Sequence, residues 1–189
     1  MTLVNWHFGD LRPNHYGVIY ADPPWYFGTF SDKGRDRSAA YDCMSLEAIK
    51  ALPVADLAAK DCALLMWAID PMLPEAFEVL SAWGFRYKTV GFYWEKLNAD
   101  GTPFTGLGYW TRANPEQCLL ATRGKPKRLA RDVRRLIRAP RRAHSQKPDE
   151  VRTRIERLLP GPYCELFART RPDGWDVFGN QTDRFEVAA

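Results

Sequence analysis

The sequence predicts an α/β fold, a mostly parallel sheet covered by helices, and three observations lead there. Short apolar runs recur along the chain: Gly17-Val18-Ile19-Tyr20-Ala21 is one, and Ala63-Leu64-Leu65-Met66-Trp67 is another, with no polar side chain inside it. Continuous apolar strands, as opposed to alternating ones, belong to sheets buried on both faces. Between these runs lie segments with helix start and stop signals, so strand and helix follow each other in series. The chain has 189 residues, 46% hydrophobic and 13% aromatic. That suits a single domain, residues 1–189, with a core large enough to need no staples.

Each element has its own signal. Residues 18–21 form a short buried strand that stops at Asp22 and two prolines. Residues 31–37 make a polar, glycine-containing loop. Ser45 is a helix N-cap before Leu46-Glu47-Ala48-Ile49-Lys50, because its hydroxyl accepts a bond from an unpaired N–H of the first turn. Residues 62–68 are the second buried strand. Asp70 then caps a helix with Pro71 at its first position, running through Trp83 to a stop at Gly84. Residues 86–94, rich in aromatic and β-branched side chains, form a third strand. A fourth is expected at 117–122, and a helix over 148–159 precedes a fifth at 164–168. No internal repeat and no clean linker interrupts the series.

Several function classes are disfavoured. The opening Met1-Thr2-Leu3-Val4-Asn5-Trp6 has no basic region followed by an apolar core, so no signal peptide is expected. No apolar stretch approaches the roughly 20 residues of a membrane helix. Cys43, Cys62, Cys118 and Cys164 form no CxxC pair, and His7, His15 and His144 are equally scattered. That spacing predicts no metal site and a reducing, cytoplasmic setting. Gly106-Leu107-Gly108 lacks the third glycine of a dinucleotide fingerprint and no Walker loop exists, so neither an NTP-driven nor a nicotinamide enzyme is supported.

Charge is unevenly spread. The chain carries a net charge of +4, but residues 121–142 hold Arg123, Lys125, Lys127, Arg128, Arg131, Arg134, Arg135, Arg138, Arg141 and Arg142 against the single acid Asp132. A charge run is usually a solvated face. This one is so one-signed and Arg-rich that a polyanion is the favoured partner. Such contacts give affinity and salt dependence, not sequence choice.

Asp22-Pro23-Pro24-Trp25 is the most informative stretch. The first proline fixes φ and neither proline has a backbone N–H, so nearby carbonyls lose their usual partners. The result is a rigid turn offering acceptors, the Asp22 carboxylate and free carbonyls at Pro23 and Pro24, beside the flat face of Trp25. A planar ligand with an exocyclic amino group, such as adenine, suits it. The competing reading is a strand-ending turn with a packed indole. In open α/β sheets ligands sit at the carboxyl ends of strands, and Asp70, Glu95-Lys96 and Arg169-Thr170 share that placement.

These residues, with Tyr41-Asp42-Cys43-Met44-Ser45, Trp94-Glu95-Lys96 and Gly106-Leu107-Gly108-Tyr109-Trp110-Thr111-Arg112, resemble the MT-A70 family of S-adenosylmethionine-dependent N6-adenine methyltransferases. The likeness continues through Asn114-Pro115-Glu116, Ser145-Gln146-Lys147-Pro148-Asp149-Glu150, Glu165-Leu166-Phe167-Ala168-Arg169 and Gly174-Trp175-Asp176-Val177-Phe178-Gly179-Asn180-Gln181. In length the chain is similar to the compact bacterial and phage members. The resemblance implies a Rossmann-like methyltransferase fold with helices on both faces and permuted order, the catalytic turn preceding the cofactor-binding elements. It implies that Asp22 and the Pro23 carbonyl accept from the target N6 amino group, within a catalytic turn of Asp22, Pro23, Pro24 and Trp25. Trp25 and Tyr26 would stack on the base. For S-adenosylmethionine it implies contacts from Asn180 and Gln181, the carboxylate anchor Lys147, Arg169 near the ribose, Asp22, and Asn5 and Trp6 flanking the adenine. Tyr41, Lys96 and Arg112 join the substrate side, with Arg134, Arg135 and Arg138 on the phosphates. One departure stands out: a histidine-asparagine pair common after the Arg169 position is here Arg171-Pro172.

For several of these residues a purely structural role remains open. Asn180 also fits a turn after Gly179, and Lys147 a solvated position before a proline-started helix. The loops at 31–37 and 101–112 are candidates for gating and for gripping nucleic acid, or are surface loops. Three functions compete: N6-adenine methylation of DNA, the same chemistry on RNA, and a non-catalytic nucleic-acid-binding half of a heterodimer. Inactive halves typically lose the acid-proline-proline-aromatic turn, which is intact here. The expected assembly is a monomer or homodimer, with a heterodimer as the alternative.

Overall fold

The computed structural model describes residues 6–26, 43–142 and 146–185, so Asn5, Tyr41 and residues 31–37 lie outside the described residues. The strands are β1 (Tyr16–Ala21), β2 (Ala58–Ala68), β3 (Arg86–Leu97), β4 (Glu116–Arg123), β5 (Leu136–Pro140), β6 (Tyr163–Leu166) and β7 (Trp175–Phe178). They form one sheet in the order β5-β3-β4-β2-β1-β6-β7. β1 is parallel to β2 and β6, β3 to β5, and β6 to β7. Only β4 runs against its neighbours, β2 and β3. The helices are α1 (Leu46–Lys50), α2 (Leu73–Ala82) and α3 (Glu150–Leu158). This is the mostly parallel α/β sheet that the sequence predicts, with α1 and α2 on one face and α3 on the other.

The apolar strands are buried on both sides, as their composition requires. Ile19, Ala21, Leu64 and Met66 face a core completed by Ile49 of α1 and Val79 and Leu80 of α2. Val18, Tyr20, Ala63, Leu65 and Trp67 face the other core, closed by Val151 and Ile155 of α3. Those two α3 residues are four apart, one turn of a single helical stripe. Each buried aliphatic side chain of this size contributes about 1.5–3 kcal/mol. Ser45 caps α1 as its sequence indicates, accepting from the Ala48 N–H at 3.2 Å.

One expected helix changes, and two further strands join the sheet. The helix expected from Asp70 begins as a 3-10 turn, Asp70–Met72, and becomes α-helical only at Leu73; no side chain caps either segment. A second proline, Pro74, explains the restart, because it lacks an N–H and is tolerated only in a first turn. β5 and β7 had no clear signal in the sequence. In β5 only Ile137 is buried, so an edge strand hides inside the basic block. β7 has four residues and only Trp175 buried.

Chain order across the sheet creates the site. The chain leaves β1 toward β2 and, through β3, β4 and β5, builds one wing. It then returns to place β6 and β7 on the other side of β1. The carboxyl end of β1 is therefore a switch point, where loops diverge and leave a crevice. Ala21 pairs with Met66 and Leu166, Gln117 with Ala68, and Glu116 with Trp94. Hence Asp22, Lys96, Glu116 and Arg169 all stand on one rim.

One buried hydrogen bond fixes the sheet below that rim. The Trp67 indole donates to the Tyr20 hydroxyl at 2.6 Å. Tyr20→Phe removes one oxygen, yet it leaves that N–H without an acceptor in the core. It is expected to lower unfolding free energy by about 1–3 kcal/mol in urea titration; an unchanged midpoint would contradict this.

Candidate active site

The Asp22-Pro23-Pro24-Trp25 turn is a closed structure. The Trp25 N–H donates to the Pro23 carbonyl at 2.9 Å, and the Met44 N–H donates to the Pro24 carbonyl at 2.9 Å. The expected free carbonyls each already accept one bond, and each keeps the second lone pair of a carbonyl oxygen. The open indole face expected at Trp25 is not present. Trp25 is only 5% exposed and packs in the core, and its indole N–H donates to the Trp67 carbonyl at 3.0 Å. A strand-end indole within reach of the Trp67 carbonyl on β2 gains more from burial and that bond than from facing solvent. Tyr26, 66% exposed, is the aromatic face this turn presents.

Asp22 anchors a chain of charges. Lys147 Nζ donates to both of its carboxylate oxygens, at 3.0 and 2.9 Å, and lies 3.3 Å from Glu116 Oε2. Glu116 Oε1 in turn pairs with Lys96 Nζ at 2.6 Å. Arg169 approaches Asp22 at 3.5 Å. Burial alone would lower the Lys147 ammonium, but Asp22 and Glu116 outweigh it and raise its pKa. Burial alone would raise Glu116, but Lys147 and Lys96 outweigh it and hold its carboxyl below the ordinary range. The result is an alternating row, Lys96, Glu116, Lys147, Asp22, Arg169, along one rim. Both signs within a few ångströms of each other suit a zwitterionic ligand end, whose carboxylate and ammonium need opposite partners.

A second network supports the row. Arg152 of α3 donates to both oxygens of the buried Glu165 at 2.7 and 3.0 Å, to Asp149 at 2.9 Å and to Thr170 at 3.1 Å. Asp149 also pairs with Arg142 at 2.6 Å. Arg152 thereby ties together the neighbours of Lys147 and Arg169. Asn180 and Gln181 follow β7, and a cleft of about 340 Å³ is lined by Gly179, Asn180, Gln181, Thr182, Asp183 and Arg184. Gly179 packs so closely on the turn after β6 that an added Cβ would lie 2.7 Å from the Ala168 carbonyl oxygen. Arg171, which replaces the expected histidine, braces this turn through Asp183 at 2.8 Å and Thr182 at 2.7 Å. Trp6 reaches the same side of the sheet: its ring meets Phe8, which packs on Phe178, and its N–H is used by the Leu11 carbonyl.

The other expected substrate residues are dispersed. Arg112 is exposed in the β3–β4 loop. Arg134, Arg135 and Arg138 lie at the outer edge, on or beside β5 and exposed, but two are held within the chain. Arg138 forks onto Glu95 at 2.7 and 3.4 Å, and Arg135 donates to Thr89 at 3.1 Å. Arg128, Arg131 and Arg134 are exposed without an ion-pair partner among the described residues. Sequence reasoning missed Glu116 and Arg152 as site-building residues. The signal for Glu116 was its place in Asn114-Pro115-Glu116, at the head of a strand ending on the same rim.

Comparison with known proteins agrees with this architecture. The MT-A70 family matches residues 16–181. The chain is 34% identical to the Type II methyltransferase M.MunI of Mycoplasma sp over 91% of this chain and 80% of that protein. It is 29% identical to the N(6)-adenine-specific methyltransferase METTL4 of Mus musculus, over 90% of this chain and 38% of that protein. With the N(6)-adenosine-methyltransferase catalytic subunit METTL3 of Homo sapiens the identity is 30%, over 89% of this chain and 28% of that protein. The chain thus spans less than half of the two mammalian relatives.

The charge row predicts a pH signature. Glu116 titrates below the ordinary carboxylate range in the folded protein, so it stabilises the fold above the unfolded carboxyl value of about 4.3, and that contribution is lost as pH falls through the lower folded value. Glu116→Gln should be less stable than wild type near neutrality, with the gap closing under acid conditions. Thermal melts across pH check this; parallel curves would refute it.

Proposed function

The chain belongs to the MT-A70 family of methyltransferases, and from that premise we propose that it transfers a methyl group from S-adenosylmethionine to the N6 amino group of adenine in DNA. The observation that carries the reading is the Asp22 carboxylate, held at the end of β1 by two bonds from Lys147 beside the second lone pairs of the Pro23 and Pro24 carbonyls. A target amino group has two N–H bonds to donate, and this turn offers an acceptor for each.

S-adenosylmethionine supplies, when bound, an electrophilic sulfonium methyl. Asp22 accepts one amino N–H and the Pro23 carbonyl the other. Those bonds draw the nitrogen toward tetrahedral geometry and localise its lone pair away from the ring. With the cofactor bound, that lone pair would be placed to take up the methyl while the methyl–sulfur electron pair stayed on sulfur, and Asp22 or water would receive the excess proton from nitrogen. No covalent intermediate on the protein is needed, and rate comes from positioning and fixed charges. Lys147 would have two roles, orienting Asp22 and meeting the cofactor carboxylate, with Glu116 available to the cofactor ammonium and Arg169, beside Asp22, near the ribose. Asn180 and Gln181 contact the ribose and adenine of the cofactor, and Arg171 keeps their turn in place. Tyr26 provides the stacking face for the target base, which in a duplex must first leave its stack.

DNA is favoured over RNA because the Type II methyltransferase matches this chain over most of both lengths, whereas the N6-adenosine enzymes match it over only part of theirs. The RNA reading is the alternative, carried by that partial match. Transfer of labelled methyl to duplex DNA, single-stranded DNA and RNA in parallel separates them. Duplex DNA should be labelled best, and Asp22→Ala should lose at least about a hundredfold. Equal labelling by wild type and Asp22→Ala would overturn the mechanism, and exclusive labelling of RNA would overturn the substrate.

The basic edge predicts a separate result. Alanine at Arg128, Arg131 and Arg134 together should weaken DNA binding and reduce the slope of log affinity against log salt by up to about 3, while cofactor affinity stays unchanged. Equal loss of cofactor binding in calorimetry would contradict a phosphate-binding role.

A further inference from the structure

We propose that the tip of the β3–β4 loop, residues 106–112, is a nucleic-acid contact in which Trp110 stacks on a base at or beside the target. This rests on the reading of the rim as a nucleic-acid-modifying site and adds a contact to it. Trp110 is 92% exposed, and Tyr109 beside it is 74% exposed with its ring perpendicular to the indole. Leu107 is exposed as well. Large apolar side chains clustered in solvent mark a contact surface.

The tip is held in place. The Gly106 N–H donates to the Ala113 carbonyl at 2.7 Å, and the Thr111 N–H to the Tyr109 carbonyl at 2.9 Å. A Cβ at Gly108 would lie 1.9 Å from the Thr111 carbonyl oxygen, so only glycine closes this turn. Trp110 itself has φ of 67°, a left-handed conformation that costs a bulky residue about 1 kcal/mol or more. Below the tip, Asn114 accepts from the Lys96 N–H at 2.8 Å and donates to the Lys96 and Phe104 carbonyls at 3.2 and 2.5 Å. Those stems are the end of β3 and the start of β4, which carry Lys96 and Glu116 of the charge row. The aromatic tip therefore stands on the same rim as Asp22.

Its surroundings select the partner. Residues 104–113 contain no acid, and Arg112 is their only charge. Arg141, the continuation of basic strand β5, binds the Leu97 carbonyl through its N–H at 3.0 Å and lays its guanidinium 3.6 Å from the centre of the Phe104 ring. Exposed aromatics bordered by guanidinium groups match a polyanion that also offers π faces, which is a nucleic acid. In a duplex, a base that leaves the stack exposes its neighbours, and an indole presented at the rim recovers part of the lost stacking.

The test uses the full chain with a labelled adenine-containing oligonucleotide, single-stranded and duplex, titrated by fluorescence anisotropy at several salt concentrations. Trp110→Ala should weaken binding about tenfold, within the range for one base–aromatic stack, with the salt slope unchanged. Trp110→Phe should recover most of the affinity. Cofactor affinity by calorimetry and mass by light scattering should match wild type. Binding by Trp110→Ala within about twofold of wild type overturns the proposal. So does a lower assembled mass for that variant, which would make the tip an interface between copies of the chain. Methyl transfer by wild type, measured in parallel, tests the underlying reading separately: transfer that persists while Trp110→Ala binds normally removes the stacking contact alone.

Discussion

The position of the Lys147 ammonium governs the rim. It grips both oxygens of Asp22 and touches Glu116, and the three charges come from separate parts of the fold: the end of β1, the head of β4 and the approach to α3. Each would be costly to bury alone. Together they compensate, which is why Glu116 stays ionised and Lys147 stays protonated despite burial. Removing one member of such a buried set leaves the others uncompensated and costs about 3–5 kcal/mol. The row is thus a constraint on the fold as well as a chemical device.

The switch point in the sheet makes this convergence geometrically available. β1 comes first among the strands yet lies between β2 and β6, so segments far apart in sequence meet at its carboxyl end. β4 enters antiparallel, which brings its first residue, Glu116, to the rim where the other strands finish. On the other wing, the Arg152 network and the Gly179 contact fix the turns after β6 and β7. Rigid strands below and short, hydrogen-bonded turns above give the preorganisation that transfer chemistry without a covalent intermediate requires.

The legible parts of the sequence were those with local chemistry. The Asp22-Pro23-Pro24-Trp25 turn, the Ser45 cap and the buried runs of β1 and β2 followed from residue type and spacing. β5 and β7 did not, because a short edge strand with a single buried side chain has no periodicity to detect. For Trp25 the sequence leaves an open stacking face and a packed indole both standing, and the structure has the packed one, because its acceptor is a carbonyl on β2 that no local pattern reveals. Lys147 was recognised by resemblance and Glu116 overlooked as a partner for the same reason: their pairing is a tertiary fact. Arg171, a departure from the resemblance, pairs with Thr182 and Asp183 just beyond Asn180 and braces that turn.

On the proposed function, the Asp22 turn presents an adenine N6 to the methyl donor. The most direct measurement is mass spectrometry of nucleosides after incubation of DNA with S-adenosylmethionine carrying a deuterated methyl group. The heavy methyl is expected on N6 of deoxyadenosine, and absent with Asp22→Ala. A heavy methyl on cytosine or on a ring carbon, or on N6 in equal amount without Asp22, would contradict it.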